Sequence, residues 1–110
     1  MKRHYECVEC ADGFNMSVQA SARNYSSPRD DTGPYESVEV GYPNRECNIL
    51  LPFAEQPDNP IGSVYGWVPA DKIIECIDAH GGMVGGELPP LDIVTALYRS
   101  SLAENRNIEG

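Results

Sequence analysis

Positive charge is what this sequence has least of. Eight Lys and Arg stand against seventeen Asp and Glu, which leaves a formal net charge of −9 and a pI near 4.5. A surface this negative repels phosphate backbones and anionic lipid headgroups, so neither direct nucleic-acid binding nor membrane docking is expected. Long hydrophobic runs are missing too. No stretch approaches the ~20 apolar residues needed to cross a bilayer. The opening MKRHYECVEC alternates after its basic pair instead of turning uniformly apolar, so no signal peptide is expected. These absences together predict a cytoplasmic protein, in which the four cysteines stay reduced.

Motifs for chemistry are equally scarce. With two His in the chain, no Ser/His/Asp or Cys/His pairing can be argued from spacing. The run Gly81-Gly82-Met83-Val84-Gly85-Gly86 has the glycines of a phosphate loop, but it follows a helical stretch rather than a strand. No Lys-Ser/Thr closes it either. The expectation is a protein that is not an enzyme and carries no cofactor.

What the chain does contain is ordinary globular material: 110 residues, 41% hydrophobic and 23% charged, enough for one core. Its organising stretch is residues 63–82, SVYGWVPADKIIECIDAHGG. Val64, Gly66 and Val68 fall on one face of a predicted strand, with Tyr65 and Trp67 on the other. Gly66 leaves room there for close approach by a neighbour. Pro69 opens a helix, and Asp71 lies near its positive end. Ala70, Ile73, Ile74 and Ile77 form the apolar stripe, extended by Cys76 and His80. Gly81-Gly82 ends the helix.

Before this spine, residues 3–10 and 14–22 alternate around the turn Ala11-Asp12-Gly13 and predict a hairpin. In the second strand Phe14, Met16, Val18, Ala20 and Ala22 face inward. A polar loop with SSPRDDTGP fills residues 23–35, and residues 36–42 resume alternation with Val38, Val40 and Tyr42 inward. Residues 44–55 read either as a short helical turn at residues 49–51 ending before Pro52, the favoured reading, or as a short buried extended piece. After a Gly/Pro-rich connector, residues 91–103 predict a second helix with Leu91, Val94, Leu97, Tyr98 and Leu102 on one broad face. The fold class is therefore α+β: about four antiparallel strands with two helices packed on one face. Residues 1–104 make a single domain and 105–110 a flexible tail.

Two constellations stand out. Cys7-Val8-Glu9-Cys10 before a turn has the spacing of half a tetrahedral zinc site. Further ligands would have to come from Cys47, Cys76, His4 or His80 on distant elements, and residues three apart on a strand point to opposite faces. His80, at a helix end, suits a capping role better than a catalytic one. The second constellation is acidic. Glu6, Glu9, Asp30, Asp31, Glu36 and Glu39 make one negative patch if the outer faces of the first and third strands lie together. Tyr25, Tyr35, Tyr65 and Trp67 would be its aromatic anchors.

The pattern DGFNMSVQAS, YSSPR, GPYESVEVGYP, LLPFAE, VYGWVPADKI and HGG resembles a family of small uncharacterised accessory proteins of tailed phages, over residues 12–82. That resemblance implies a context and no site residues: small acidic proteins of this kind bind and disable host proteins, including CRISPR effectors. The expectation is a host-protein inhibitor acting through its acidic, aromatic-bearing surface, by steric block or by mimicry of nucleic-acid charge. Its partner would be a host protein with a basic, nucleic-acid-binding surface. Glu6, Glu9, Asp30, Asp31, Tyr35, Glu36, Glu39, Tyr65 and Trp67 are its candidate contacts. The alternative is a small zinc-stabilised structural or assembly module using Cys7 and Cys10. An exposed Tyr65–Trp67 face would equally seal a homodimer.

Overall fold

The computed structural model describes residues 4–109. Its alternating segments become β1 (Val8–Cys10), β2 (Asn15–Gln19), β3 (Ser37–Gly41) and β4 (Val64–Pro69). The predicted first strand is shorter than its pattern. Arg3 lies outside the described residues, and at Tyr5 the Gln19 side chain supplies the pairing, accepting from the Tyr5 N–H (2.9 Å) and donating to its carbonyl (2.7 Å). The helix predicted after β4 is α1 (Ala70–Ala79). Its first N–H is satisfied by the sheet, Ala70 N–H donating to the Glu36 carbonyl at 2.8 Å.

The strand count needs correction. A fifth strand, β5 (Met83–Gly85), lies in the segment read as a connector. It pairs antiparallel with β1, giving the order β4-β3-β2-β1-β5. The glycines that argued against structure are what permit it. Gly81 and Gly82 take φ of 89° and 95°. Gly82 N–H reaches the Ile77 carbonyl and Gly81 N–H the Asp78 carbonyl, the two bonds of a Schellman stop. Chain direction reverses within two residues, and α1 delivers the chain to the sheet edge opposite β4. Ten residues of helix span ~15 Å against ~19 Å for four strand spacings, so α1 carries the chain most of the way across the sheet.

The core lies between that helix and the sheet: Val8, Phe14, Met16, Val18, Val38, Val40, Tyr65, Val68 and Ile73 are fully buried. The connection between β3 and β4 closes one end with a 3-10 turn at Leu51–Phe53, which includes Pro52 instead of stopping before it. Leu50 from this segment is buried, and Tyr42, expected inward, is exposed with φ 47°.

Helix α2 (Ile93–Glu109) begins later than its apolar pattern and runs beyond residue 103. Leu91 stays extended. Tyr35 N–H donates to the Pro90 carbonyl (2.8 Å) and Asp92 N–H to the Tyr35 carbonyl (2.7 Å), stitching this entry to the long loop. Asp92 then accepts from Thr95 N–H (3.0 Å) and Thr95 Oγ1 (2.7 Å), an N-cap. The helix packs against α1; among its described side chains Ala96 is covered, while Val94, Leu97, Tyr98 and Leu102, which share the apolar face of the sequence pattern, are exposed.

Gly86 marks the tightest backbone approach. At φ 89°, an added Cβ would collide with the Cys7 carbonyl and come within 2.7 Å of Val8 Cα. Gly86→Ala should cost roughly 2 kcal/mol or more, read as a fall in the urea midpoint with faster amide exchange along β5. Acid should also loosen the fold. Asp12, Asp30 and Asp92 are held below the ordinary carboxylate value of 3.8, chiefly by the backbone N–H groups of Phe14, Gly33 and Thr95. Their contributions are complete above that value and are lost as pH falls through the lowered ones. Melting temperature should therefore drop below about pH 4, and Asp92→Asn, which keeps an acceptor but does not titrate, should flatten that dependence.

Candidate functional site

The nine residues proposed as contacts scatter. Tyr35 and Tyr65 are buried, with hydroxyls donating to the carbonyls of Asp30 (2.7 Å) and Pro60 (2.6 Å). They hold loops and are corrected from surface anchors to core residues. Glu39 accepts from Asn24 Nδ2 (3.0 Å) and Tyr25 N–H (3.1 Å). Asp30 accepts from the Thr32 and Gly33 amides, and Asp31 from Ala22 N–H. Glu36 pairs with Arg99 (2.7 Å) and accepts from Ser27 Oγ (3.2 Å). Glu6 and Glu9 are exposed. The single acidic patch does not form either. Strand β2 separates β1 from β3; Glu9 faces Asn15 and Glu39 faces Gln19. Two strand spacings and four residues of rise put Glu9 and Glu39 roughly 16 Å apart, about twice the physiological screening length.

Of the three aromatics among those nine, Trp67 does reach the surface, 51% exposed. Its separation from Tyr65 has a backbone cause. Val40 pairs with Tyr65 and Val38 with Val68, so Gly66 and Trp67 together oppose Glu39. This bulge interrupts the alternation, and Trp67 takes φ 49°, rare for a bulky side chain. The space beside Gly66 is filled by Tyr25, 3.5 Å from where a Cβ would stand. The Tyr25 ring stacks on Trp67 at 4.8 Å between centroids, with the Arg29 guanidinium 5.7 Å from the Tyr25 ring. Trp67 N–H donates to the Tyr25 carbonyl at 3.1 Å. Beyond Trp67, a cavity of about 400 Å³ opens between the sheet end and α2, lined by Glu36, Pro69, Ala96 and Arg99.

Helix α2 forms the far wall of that cavity and turns an apolar stripe outward. Val94, Leu97, Tyr98 and Leu102 follow the helical repeat, with Val94 79% and Tyr98 65% exposed. Opposite them, Ala96 faces the fold. This stripe was legible as a pattern; its direction was not.

A second cluster lies at the other end of α1. Cys7 and Cys10 do not cooperate: Cys7 is exposed and Cys10 buried, as a strand demands of positions three apart. Instead the ligand atoms of Cys47, Cys76 and His80 all lie within 4.8 Å of one another, with the two sulfurs 3.4 Å apart. His80 does not cap its helix through its ring. The ring stacks flat on Phe14 at 4.0 Å, and Nδ1 meets Asp12 Oδ2 at 2.7 Å. Burial pushes the Cys76 thiol well above its ordinary value, with the Cys47 contact next in effect. Cys10 is raised likewise, by burial first and then by the charges of Asp12 and Cys47. Cys76 and His80, four apart on α1, share a face in any helical reading. Cys47 carried no local signal.

The chain matches no protein family, no curated protein and no solved structure.

The bulge allows a direct test. Trp67→Ala loses the stack and keeps the unfavourable φ; Trp67→Gly loses the stack and relieves it. The Gly variant should be more stable than the Ala variant by about 1 kcal/mol in urea unfolding. Equal stability would mean that position 67 does not hold its left-handed conformation.

Proposed function

We propose that this protein is a non-catalytic binding module that docks onto a partner protein through the outward stripe of α2, with Trp67 across the adjoining cavity as a second anchor. One observation carries the reading: among its described side chains, α2 covers Ala96 and presents Val94, Leu97, Tyr98 and Leu102 to solvent. Four large apolar groups in register resemble the helix-presented anchors of protein interfaces. Net charge then selects the partner. With nine excess negative charges, a basic protein is attracted and nucleic acid repelled. In the tailed-phage setting that the sequence pattern resembles, the partner is a host protein whose basic, nucleic-acid-binding surface the domain blocks. The exposed acids act through the overall field, since several predicted contacts are engaged within the fold.

The test is capture of host proteins on the immobilised domain, compared with Leu97→Asp and Tyr98→Ala variants. Both positions are exposed, so melting temperatures should stay near that of the parent. Leu97→Asp should weaken the captured complex at least tenfold, as expected for an interface anchor. Raising salt should weaken it further by slowing association. Capture indifferent to both substitutions overturns the proposal. A dimer in sedimentation that Leu97→Asp dissociates would assign the stripe to a second copy instead.

A further inference from the structure

Cys47, Cys76 and His80 come from two elements, the loop after β3 and the helix α1, yet place three ligand atoms within 4.8 Å of one another. Two soft sulfurs and one imidazole nitrogen are a donor set that suits zinc. The spacing suits it as well. Tetrahedral zinc with Zn–S near 2.3 Å separates its sulfurs by ~3.8 Å, and Cys47 and Cys76 stand at 3.4 Å. A disulfide would need ~2.05 Å. The surroundings have the order expected around a ligating histidine. Asp12 Oδ2 engages His80 Nδ1 at 2.7 Å, which leaves Nε2 as the free donor and fixes the ring. This is the carboxylate–histidine arrangement found behind many zinc ligands. Phe14, stacked on the ring at 4.0 Å, blocks its rotation.

We infer that Cys47, Cys76 and His80 bind one zinc ion in a structural site, with the neighbouring Cys10, whose sulfur stands outside that 4.8 Å group, closing on the ion as the fourth ligand. Cys10 is the buried cysteine of the β1 end, and its turn lies against the same helix terminus. Ala11 N–H donates to the Gly82 carbonyl (3.0 Å) and Asp12 N–H to the His80 carbonyl (3.2 Å). The ion ties β1, the loop carrying Cys47 and the end of α1 into one knot. Cys7, on the outer side of β1, takes no part. The site stands apart from α2 and is independent of the docking proposal.

The test is metal analysis of protein purified under reducing conditions without chelator, followed by cobalt substitution. About one equivalent of zinc is expected. The cobalt form should show thiolate-to-metal charge transfer and the intense visible bands of a tetrahedral centre. Asp12→Asn, an exposed change, should weaken zinc binding by about 10–100-fold. Cys7→Ser should leave it unchanged, and Cys76→Ser should remove it. If Cys76→Ser does not fold, the parent decides: chelation should lower its melting temperature and zinc should restore it. Overturning results are an absence of stoichiometric zinc with no thermal shift on its addition, an octahedral cobalt spectrum, Cys7→Ser weakening binding as much as Asp12→Asn, or a Cys47–Cys76 disulfide in the freshly isolated protein.

Discussion

The turn that joins β1 to β2 is clasped to the end of α1, and most of the molecule's organisation follows from that contact. Two backbone hydrogen bonds link Ala11 and Asp12 to the carbonyls of Gly82 and His80. The Asp12 carboxylate holds the His80 ring, which lies flat on Phe14. Residues almost seventy positions apart are thereby fixed face to face. With α1 anchored at this corner, the chain leaving it runs antiparallel beside β1 and becomes β5. The same anchoring brings Cys76 and His80 to Cys47. One contact thus sets both the sheet order and the placement of the thiol–imidazole cluster.

The opposite end of the fold has a different character. There the long loop lies over the sheet edge instead of standing away from it. Tyr25 rests against Gly66 and Trp67, Glu39 accepts from the loop at two points, and Tyr35 threads into the core while its backbone pairs with residues 90 and 92. The polar residues of the loop are largely spent on holding it in place. Among the large apolar groups that stay outward are Trp67, aimed by a bulge, and the stripe of α2. Burying either against a partner needs no rearrangement of the core.

Negative charge plays two roles that composition cannot separate. Asp12, Asp30, Asp92 and Glu39 receive backbone N–H groups at turns and a helix start, where carboxylates are favourable. The exposed remainder supplies a long-range field that repels phosphate and attracts basic surfaces. An acidic composition therefore reports local architecture as well as surface charge.

Period-two alternation around Phe14–Met16–Val18 and Val38–Val40 was enough to place β2 and β3, and the stripe Ile73–Cys76–Ile77 with its glycine stop was enough to place α1. These signals are local: side-chain direction in a strand or helix follows from backbone geometry over a few residues. The α+β class follows from their order along the chain. The failures occur where a distant part decides. β5 exists because β1 offers it an edge. Trp67 turns outward because β4 carries one residue more than β3 can match. Tyr65, assigned to the same face as Trp67, is in the core for that reason. The stripe of α2 is outward because α1 and Tyr35 fix the helix by its other side. Cys47 meets Cys76 across 29 positions, a separation over which sequence spacing carries no directional information. Local stereochemistry determined the elements, while packing between segments far apart in the chain decided which faces they show and which sulfurs meet.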